Sequence, residues 1–290
     1  MGIVYQLISM FAFGISNALW RKPVDKMQVE EAIFYRSIHS VLFFVVLIFA
    51  FSRFTIITNN LSSTKYLQTI LLTFLLSIIS FFGLFFFNKA LQKANTSFVV
   101  VVSTLSFLFG QFTAFVLLGE TFNPKIIIAL VLFLITIILS DWKSIQNFKI
   151  SKAVWFGILA ALIWGTTLPL LSVPVKEIGF VETGFILELS VLLMSFIIHR
   201  FYFKRTLKIL NLKDFYLYFL LLGILAGTGV LFLNLSYTKI PVHISGAISS
   251  STHLITIFVS VLIFKETINK YQIIAAFIAF AGIFYVISIL

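Results

Sequence analysis

The stretches STLSFLFGQFTAFVLLGETFN, residues 103–123, and SSSTHLITIFVSVLIFKETIN, residues 249–269, are two versions of one segment. Laying Glu120 over Glu266, an offset of 146, also puts Ser103 on Ser249, Thr121 on Thr267 and Asn123 on Asn269. Carried outward, the same register places Gly83 on Gly229, Asn88 on Asn234 and Lys93 on Lys239. Polar residues are scarce in this chain, so their coincidence says more than the matching of one phenylalanine with another. Toward the N-terminus the offset becomes 151: Gly14 meets Gly165, Pro23 meets Pro174 and Glu31 meets Glu182. The difference between the two offsets fits a longer second loop in the first half.

The segments between these landmarks are continuous apolar runs. Apolar residues make up 60% of the 290 residues and charged residues 11%, and the mean hydropathy is +1.10. A soluble domain is about 45–50% apolar and about 25% charged, so a water-soluble globule is excluded. The runs fall at 3–20, 31–52, 67–87, 96–118, 125–141, 153–172, 180–199, 215–237, 242–264 and 271–290. About 20 apolar residues cross the hydrocarbon core, and most of these runs reach that length; the fifth is short. In lipid such segments must be helices that satisfy their own backbone groups. Barrel strands would instead alternate in polarity over about ten residues.

Five is odd, so a second five-span unit enters the bilayer from the opposite face. The fold class expected is an all-α polytopic membrane protein of ten transmembrane helices built as two inverted five-helix repeats, 1–141 and 152–290, joined by a linker at 142–151. Repeats of this kind enclose a site near the midplane. The first run is not read as a cleaved signal, because it carries no basic start and ends at Trp20-Arg21-Lys22.

The turns Leu118-Gly119-Glu120-Thr121 and Phe264-Lys265-Glu266-Thr267, Arg36 in the second run, and the Phe13-Gly14 and Trp164-Gly165 pairs resemble the drug/metabolite transporter superfamily, in its ten-span EamA-like branch. The resemblance covers essentially the whole chain and implies transport or export of a small solute. It leaves the solute open, since members handle amino acids, sugars, drugs and other metabolites. The second copy departs from the usual pattern in two places: Lys265 replaces the turn glycine, and Leu187 stands where Arg36 would repeat.

The net charge of +11 resides in loops. Loops 21–30, 88–95, 142–152, 200–214 and 265–270 share one face if the spans alternate, and they hold 15 Lys and Arg against 5 in the opposite loops. The positive-inside rule then puts both termini outside the cytoplasm, with the basic loops facing anionic lipid, whereas the family resemblance implies cytoplasmic termini. No basic groove for nucleic acid is visible. No cysteine is present and the four histidines are dispersed, so no metal site or cofactor is expected. The expected partners are the lipid bilayer of the cell membrane and a small-molecule solute. Two fused halves make a monomer sufficient, with a homodimer equally compatible.

Ionisable groups inside a span are costly unless they face a partner or water. Glu188 reads as an ion-coupling carboxylate, or else as half of a buried ion pair. Arg36, near a helix end, is placed to snorkel to the headgroups. Ser249, His253, Thr256 and Ser260 recur on one helical face; His253 is both a substrate ligand and a second candidate for proton coupling, while the hydroxyls alternatively let helices approach closely. Asn88 and Asn234 offer amides suited to a zwitterion or sugar, or helix caps. Thr104 and Gln111 share a face directed inward. Asn17, Trp164 and Thr167 lie in the first and sixth spans, where Gly14, Gly165 and Pro169 loosen the helix, and these spans are expected to line the cavity and move. Trp20 and Trp164 suit stacking on a planar or cationic solute, although Trp20, beside Arg21 and Lys22, equally suits an interfacial anchor. The Glu120 and Glu266 turns read as caps of the helix that follows each.

The leading functional expectation is a secondary transporter or exporter of a small polar or amphipathic metabolite, with a central cavity lined by spans one, three, four, six, eight and nine. A flippase for a lipid-linked small group is the alternative. An intramembrane enzyme is less favoured, because the chain holds neither His-Glu-x-x-His nor Gly-x-Ser-x-Gly, and no nucleotide-binding Gly-x-x-x-x-Gly-Lys-Ser/Thr loop is present.

Overall fold

The computed structural model describes residues 1–51, 53, 63–121, 124, 126–140, 151–207, 212–266 and 270–289. The described residues form helices and no strand. In chain order these are α1 (Gly2–Leu19), α2 (Arg21–Lys26), α3 (Val29–Ala50), α4 (Thr64–Leu91), α5 (Thr96–Ser103), α6 (Leu105–Leu118) and α7 (Ile126–Ser140). There follow α8 (Lys152–Leu170), α9 (Ser172–Ile178), α10 (Phe180–Ile197) with a π-turn at Ile198–Tyr202, α11 (Leu212–Tyr237), α12 (Val242–Ser250), α13 (Thr252–Phe264) and α14 (Lys270–Ile289). The expected linker at 142–151 lies outside the described residues except Ser151, whose hydroxyl accepts from the Val154 amide and caps α8. Asn123, Thr267 and Asn269 of the repeated turns also lie outside them.

Among the described residues eight helical segments, some interrupted once, are long and apolar enough to cross a membrane: Gly2–Lys26, Val29–Ala50, Thr64–Leu91, Thr96–Leu118, Lys152–Ile178, Phe180–Tyr202, Phe215–Tyr237 and Val242–Phe264. The chain is therefore a multi-pass integral membrane protein. Large apolar side chains such as Leu42, Phe49, Leu71, Phe112 and Leu217 point outward, where lipid rather than water is their solvent. The remaining helices, α7 and α14, pack on each other.

The interruptions recur in both halves, in register for the first pair and within one residue for the second. Helix α1 gives way to α2 at Trp20, and α8 to α9 at Leu171, the equivalent position at an offset of 151. Pro23 and Pro174 are the cause: each lacks the amide that would bond to the carbonyl four residues back, so the preceding helix ends and a new one starts with proline in its first turn. The other joints, at Thr104 and Ser251, stand near the middle of their spans. There the amides of Thr104 and Ser251 bond three residues back, to Val101 and Ile248, which is local 3₁₀ geometry. Hydroxyls of Ser103, Thr104 and Ser250 bond back to Val100, Val101 and Ala247, a pattern that bends helices.

Exchanging the two halves maps the packing onto itself. Helix α8 lies against α4, α5 and α6, as α1 lies against α11, α12 and α13. Helix α3 pairs with α10 and α7 with α14, each element with its own equivalent. The matched glycines make these contacts possible. A Cβ on Gly83 would fall 2.6 Å from the Trp164 ring, and one on Gly229 would fall 2.7 Å from Phe13. A Cβ on Gly165 would meet Phe109 Cβ and the Ser106 carbonyl at 2.5 Å, and one on Gly14 would meet Ile255 at 2.6 Å. The repeat was legible in the sequence because these positions tolerate no side chain.

Equivalent helices run antiparallel, as their ends show. The Glu120 carboxylate, just past the C-terminus of α6, accepts from the amides of Val242 and His243 at the start of α12 at 2.8 and 3.0 Å. Glu266, just past α13, accepts from the amides of Thr96 and Ser97 at the start of α5 at 3.1 and 3.3 Å. This corrects the expectation that each acid caps the helix following it: each caps a helix of the opposite half. The turns that aim the carboxylates need a left-handed residue, and Gly119 and Lys265 supply it with φ of 68° and 51°. Lysine bears there a strain that glycine avoids.

Two stability tests follow in detergent-solubilised protein. Gly165→Ala should cost about 1–3 kcal/mol through overpacking and lower Tm. Gly110→Ala, where the new methyl meets only ordinary contacts at 3.7 Å, should leave Tm unchanged or raised. Lys265→Gly should raise Tm, and Gly119→Ala, with open space around its Cβ, should lower it, each by roughly 1 kcal/mol of backbone strain.

Candidate functional site

The two halves enclose a cavity of about 190 Å³. Its wall draws on both repeats in equivalent pairs. Phe13 faces it with Trp164, Ser80 with Ala226, Leu84 with Val230, Ser103 with Ser249, Ser106 with Thr252, and Phe107 with His253. The 3₁₀ joints of both interrupted mid-span helices therefore sit at the cavity. Pro169 is also in the wall, one turn after Gly165; the proline offers no amide to the Gly165 carbonyl.

Among the described residues, helices α3 and α10 contribute the only charged side chains of the wall. Arg36 donates through Nη1 to the Glu188 carboxylate, which also accepts from Ser40 Oγ at 2.7 Å. Both residues are buried, at 6% and 1% exposure. Arg36 thus does not snorkel to the headgroups. Helix α3 begins at Val29, so Arg36 stands two turns inside it and turns toward α10. Removing one partner of a buried pair typically costs about 3–5 kcal/mol, because the other charge is left uncompensated.

Two further ion pairs lie at the ends of the same helix pair. At one end the buried Glu30 accepts from Arg205 Nη1 at 2.8 Å, with His199 Nδ1 at 3.6 Å. At the other, Arg53 Nε donates to Glu182 at 2.6 Å. Arg205 also reaches Gln28 Oε1 at 2.8 Å, while Arg21 Nη1 donates to the carbonyls of Leu91 and Ala94, each at 2.8 Å. Loops 21–30, 88–95 and 200–207 therefore share a face, as alternation of the spans predicted. Among the described residues no group of three His, Asp, Glu or Cys side chains is placed to hold a metal ion.

Of the residues singled out in the sequence, Asn17, Gln111, Trp164, Glu188, Ser249 and His253 line the cavity. Gln111 donates to the His243 carbonyl at 3.0 Å, tying α6 to the start of α12. His253 Nδ1 is buried without a partner among the described residues. The Ser249 hydroxyl accepts from Gln6 Nε2. Gln6 itself is fully buried, and its Oε1 accepts from Ser236 and Ser245 at 2.8 and 2.7 Å.

Asn88, Thr167, Asn234 and Thr256 are not in the wall, and neither is Thr104. Asn88 Nδ2 donates to the Leu84 carbonyl of its own helix at 2.9 Å, and Asn234 Nδ2 to the Phe180 carbonyl at 3.0 Å. Thr167 Oγ1 bonds back to Ile163. Thr256 Oγ1 reaches the Gly14 carbonyl at 3.0 Å, which makes it a tie between α13 and α1. Conversely Trp20, only 1% exposed, is a wall residue rather than an interfacial anchor. Ser16, Arg36 and Tyr237 are wall residues that were not chosen from the sequence. Arg36 could have been found from charge balance alone: a lone mid-span acid needs a base at similar depth.

The EamA-like transporter family matches residues 1–140 and, a second time, residues 151–288. A solved crystal structure of another protein shares the fold with a TM-score of 0.71 at 16% identity, covering 99% of this chain and 97% of that one. No curated protein matches.

The crossed caps carry a pH prediction. Burial pushes the Glu120 carboxyl up, but the His243 ring and the amides of Val242 and His243 outweigh it and hold the group below its ordinary value. A carboxylate depressed by folding stabilises above its unfolded value and loses that contribution as pH falls through the folded one. Glu120→Gln should therefore lower Tm at neutral pH by the equivalent of about 0.5–2 kcal/mol, the usual worth of such a cap. The gap between variant and parent should close on acidification; a gap that persists in acid would assign Glu120 no ionic role.

Proposed function

The chain belongs to the EamA-like transporter family, and from that premise we propose that it is a secondary transporter of a small polar or amphipathic solute, working by alternating access. The observation that carries this reading is the cavity on the pseudo-twofold, walled by equivalent residues of both repeats and holding polar groups inside an otherwise apolar core. Helices α7 and α14 serve as the fifth and tenth spans, and the repeats divide at 1–141 and 152–290. The protein resides in the cell membrane with its basic loops cytoplasmic and both termini outside.

In this reading the halves rock about the cavity. The joints at Thr104 and Ser251, and those at Trp20 and Leu171, absorb the change in helix direction. Asn17, Gln111, Ser249 and His253 present hydrogen-bonding groups to the solute, and Trp164 with Trp20 presents aromatic faces. Glu188 couples an ion to the movement. One chain completes the cavity, so a monomer is sufficient.

A thermal-shift screen of purified protein against small metabolites identifies ligands, since one that binds only the folded form raises Tm. Flux of each ligand into proteoliposomes then tests transport; absence of protein-dependent flux for every stabilising ligand would remove the transporter reading. His253→Ala should cut flux about tenfold, the worth of one hydrogen bond of about 1.4 kcal/mol, with Tm little changed. Unaltered flux would take His253 out of the site.

A further inference from the structure

We infer that the solute is an organic anion and that each anion is carried together with one proton on Glu188. This rests on the transporter reading above and narrows it. The argument begins with what the buried pair lacks. Arg36 is a fork of five donors. Its Nη1 meets Glu188, Ser37 and Ser40, but its Nε–H is buried with no acceptor among the described residues. Glu188 is the only carboxylate of the wall, and its Oε2 already holds two donors. The unused donor therefore belongs to Arg36; it is closed off from the cavity while Glu188 holds the guanidinium, and once released a planar guanidinium is the side chain best shaped to take a carboxylate-like group through two parallel bonds.

Charge balance supplies the proton. With Arg36 and Glu188 neutralising each other, a bare anion would leave the buried site with one net negative charge, which a low-dielectric environment penalises heavily. A proton on Glu188 removes that charge and at the same time loosens the carboxylate's hold on the guanidinium. The proton comes from water on the side where the anion enters and leaves with the anion on the other side. The Arg36–Glu188 bond then re-forms in the empty protein. One negative and one positive charge cross together, so the movement is electroneutral. A zwitterion would instead bring its own cation to Glu188 and need no proton.

Few other groups compete for that proton. Helix α3 contributes Arg36 and the hydroxyl of Ser40, α11 contributes Tyr237, and α13 contributes His253, while α4 and α8 face the cavity with uncharged residues. The remaining charged groups of the α3–α10 seam lie at its ends, where Glu30 meets His199 and Arg205, and Glu182 meets Arg53.

Benzenesulfonate is a suitable probe: an aromatic monoanion whose sulfonate presents two oxygens to a guanidinium, stays ionised throughout and brings no proton of its own. Its affinity for the purified protein should tighten as pH is lowered, at most about tenfold per pH unit for one linked proton, with about one proton taken up per anion bound. In proteoliposomes its uptake should acidify the lumen and ignore the membrane potential. In Glu188→Gln the binding should persist, independent of pH and without proton uptake, while His253→Gln keeps the pH slope. Arg36→Leu should lose binding and Arg36→Lys should retain part of it, each with a cooperative melting transition to show that it folds. Binding that is absent, or that does not vary with pH in the parent, overturns the inference, as does preference for phenylalanine or phenylethylamine over the sulfonate. Proton-linked binding without any flux would leave this site assignment standing and remove the transporter reading instead.

Discussion

The architecture hangs on a pair of crossed carboxylates. A helix entering a low-dielectric region leaves four amides without partners at its start. Glu120 and Glu266 satisfy two of them each for α12 and α5, from the far ends of the antiparallel partners α6 and α13. Each bond is modest, yet the arrangement admits one relative orientation only. If the halves were parallel, each carboxylate would face the carbonyl end of the other helix and be repelled by it. The caps fix inversion, and inversion brings the two bent mid-span joints face to face around an open space.

Charge is placed with similar economy along α3 and α10. The three acid–base contacts of this seam sit at its two ends and its middle. Those at the ends join a buried acid, Glu30 or Glu182, to a partly exposed arginine. The middle pair is different because it borders the cavity, so anything that enters must reckon with it. The surrounding wall is mostly apolar and aromatic, which raises the strength of every electrostatic contact made there.

The repeat was readable because the residues that matched were those the packing cannot exchange. Gly14, Gly83, Gly165 and Gly229 each sit under a neighbouring chain, and Pro23 and Pro174 each end a helix. A recurring polar residue is harder to interpret. Asn88 and Asn234 match, but both spend their amides on carbonyls of the protein, and sequence alone does not distinguish a group turned to a ligand from one turned to a helix. Trp20 looked like an anchor from its basic neighbours; the break in the helix at that residue turns it inward. The Glu120 and Glu266 motifs were visible, but their partners are more than a hundred residues away, beyond any local reading of caps.

The likeness of the halves is incomplete where it bears most on chemistry. Exchange of the repeats puts Leu187 in place of Arg36, Phe107 in place of His253 and Lys265 in place of Gly119. In the alternating-access reading, two identical halves would give a pair of resting shapes related by the twofold axis and of equal energy, each as populated as the other. Every unmatched residue tilts that balance, so on this reading the divergence of the two copies would give the empty protein a preferred direction in which to wait.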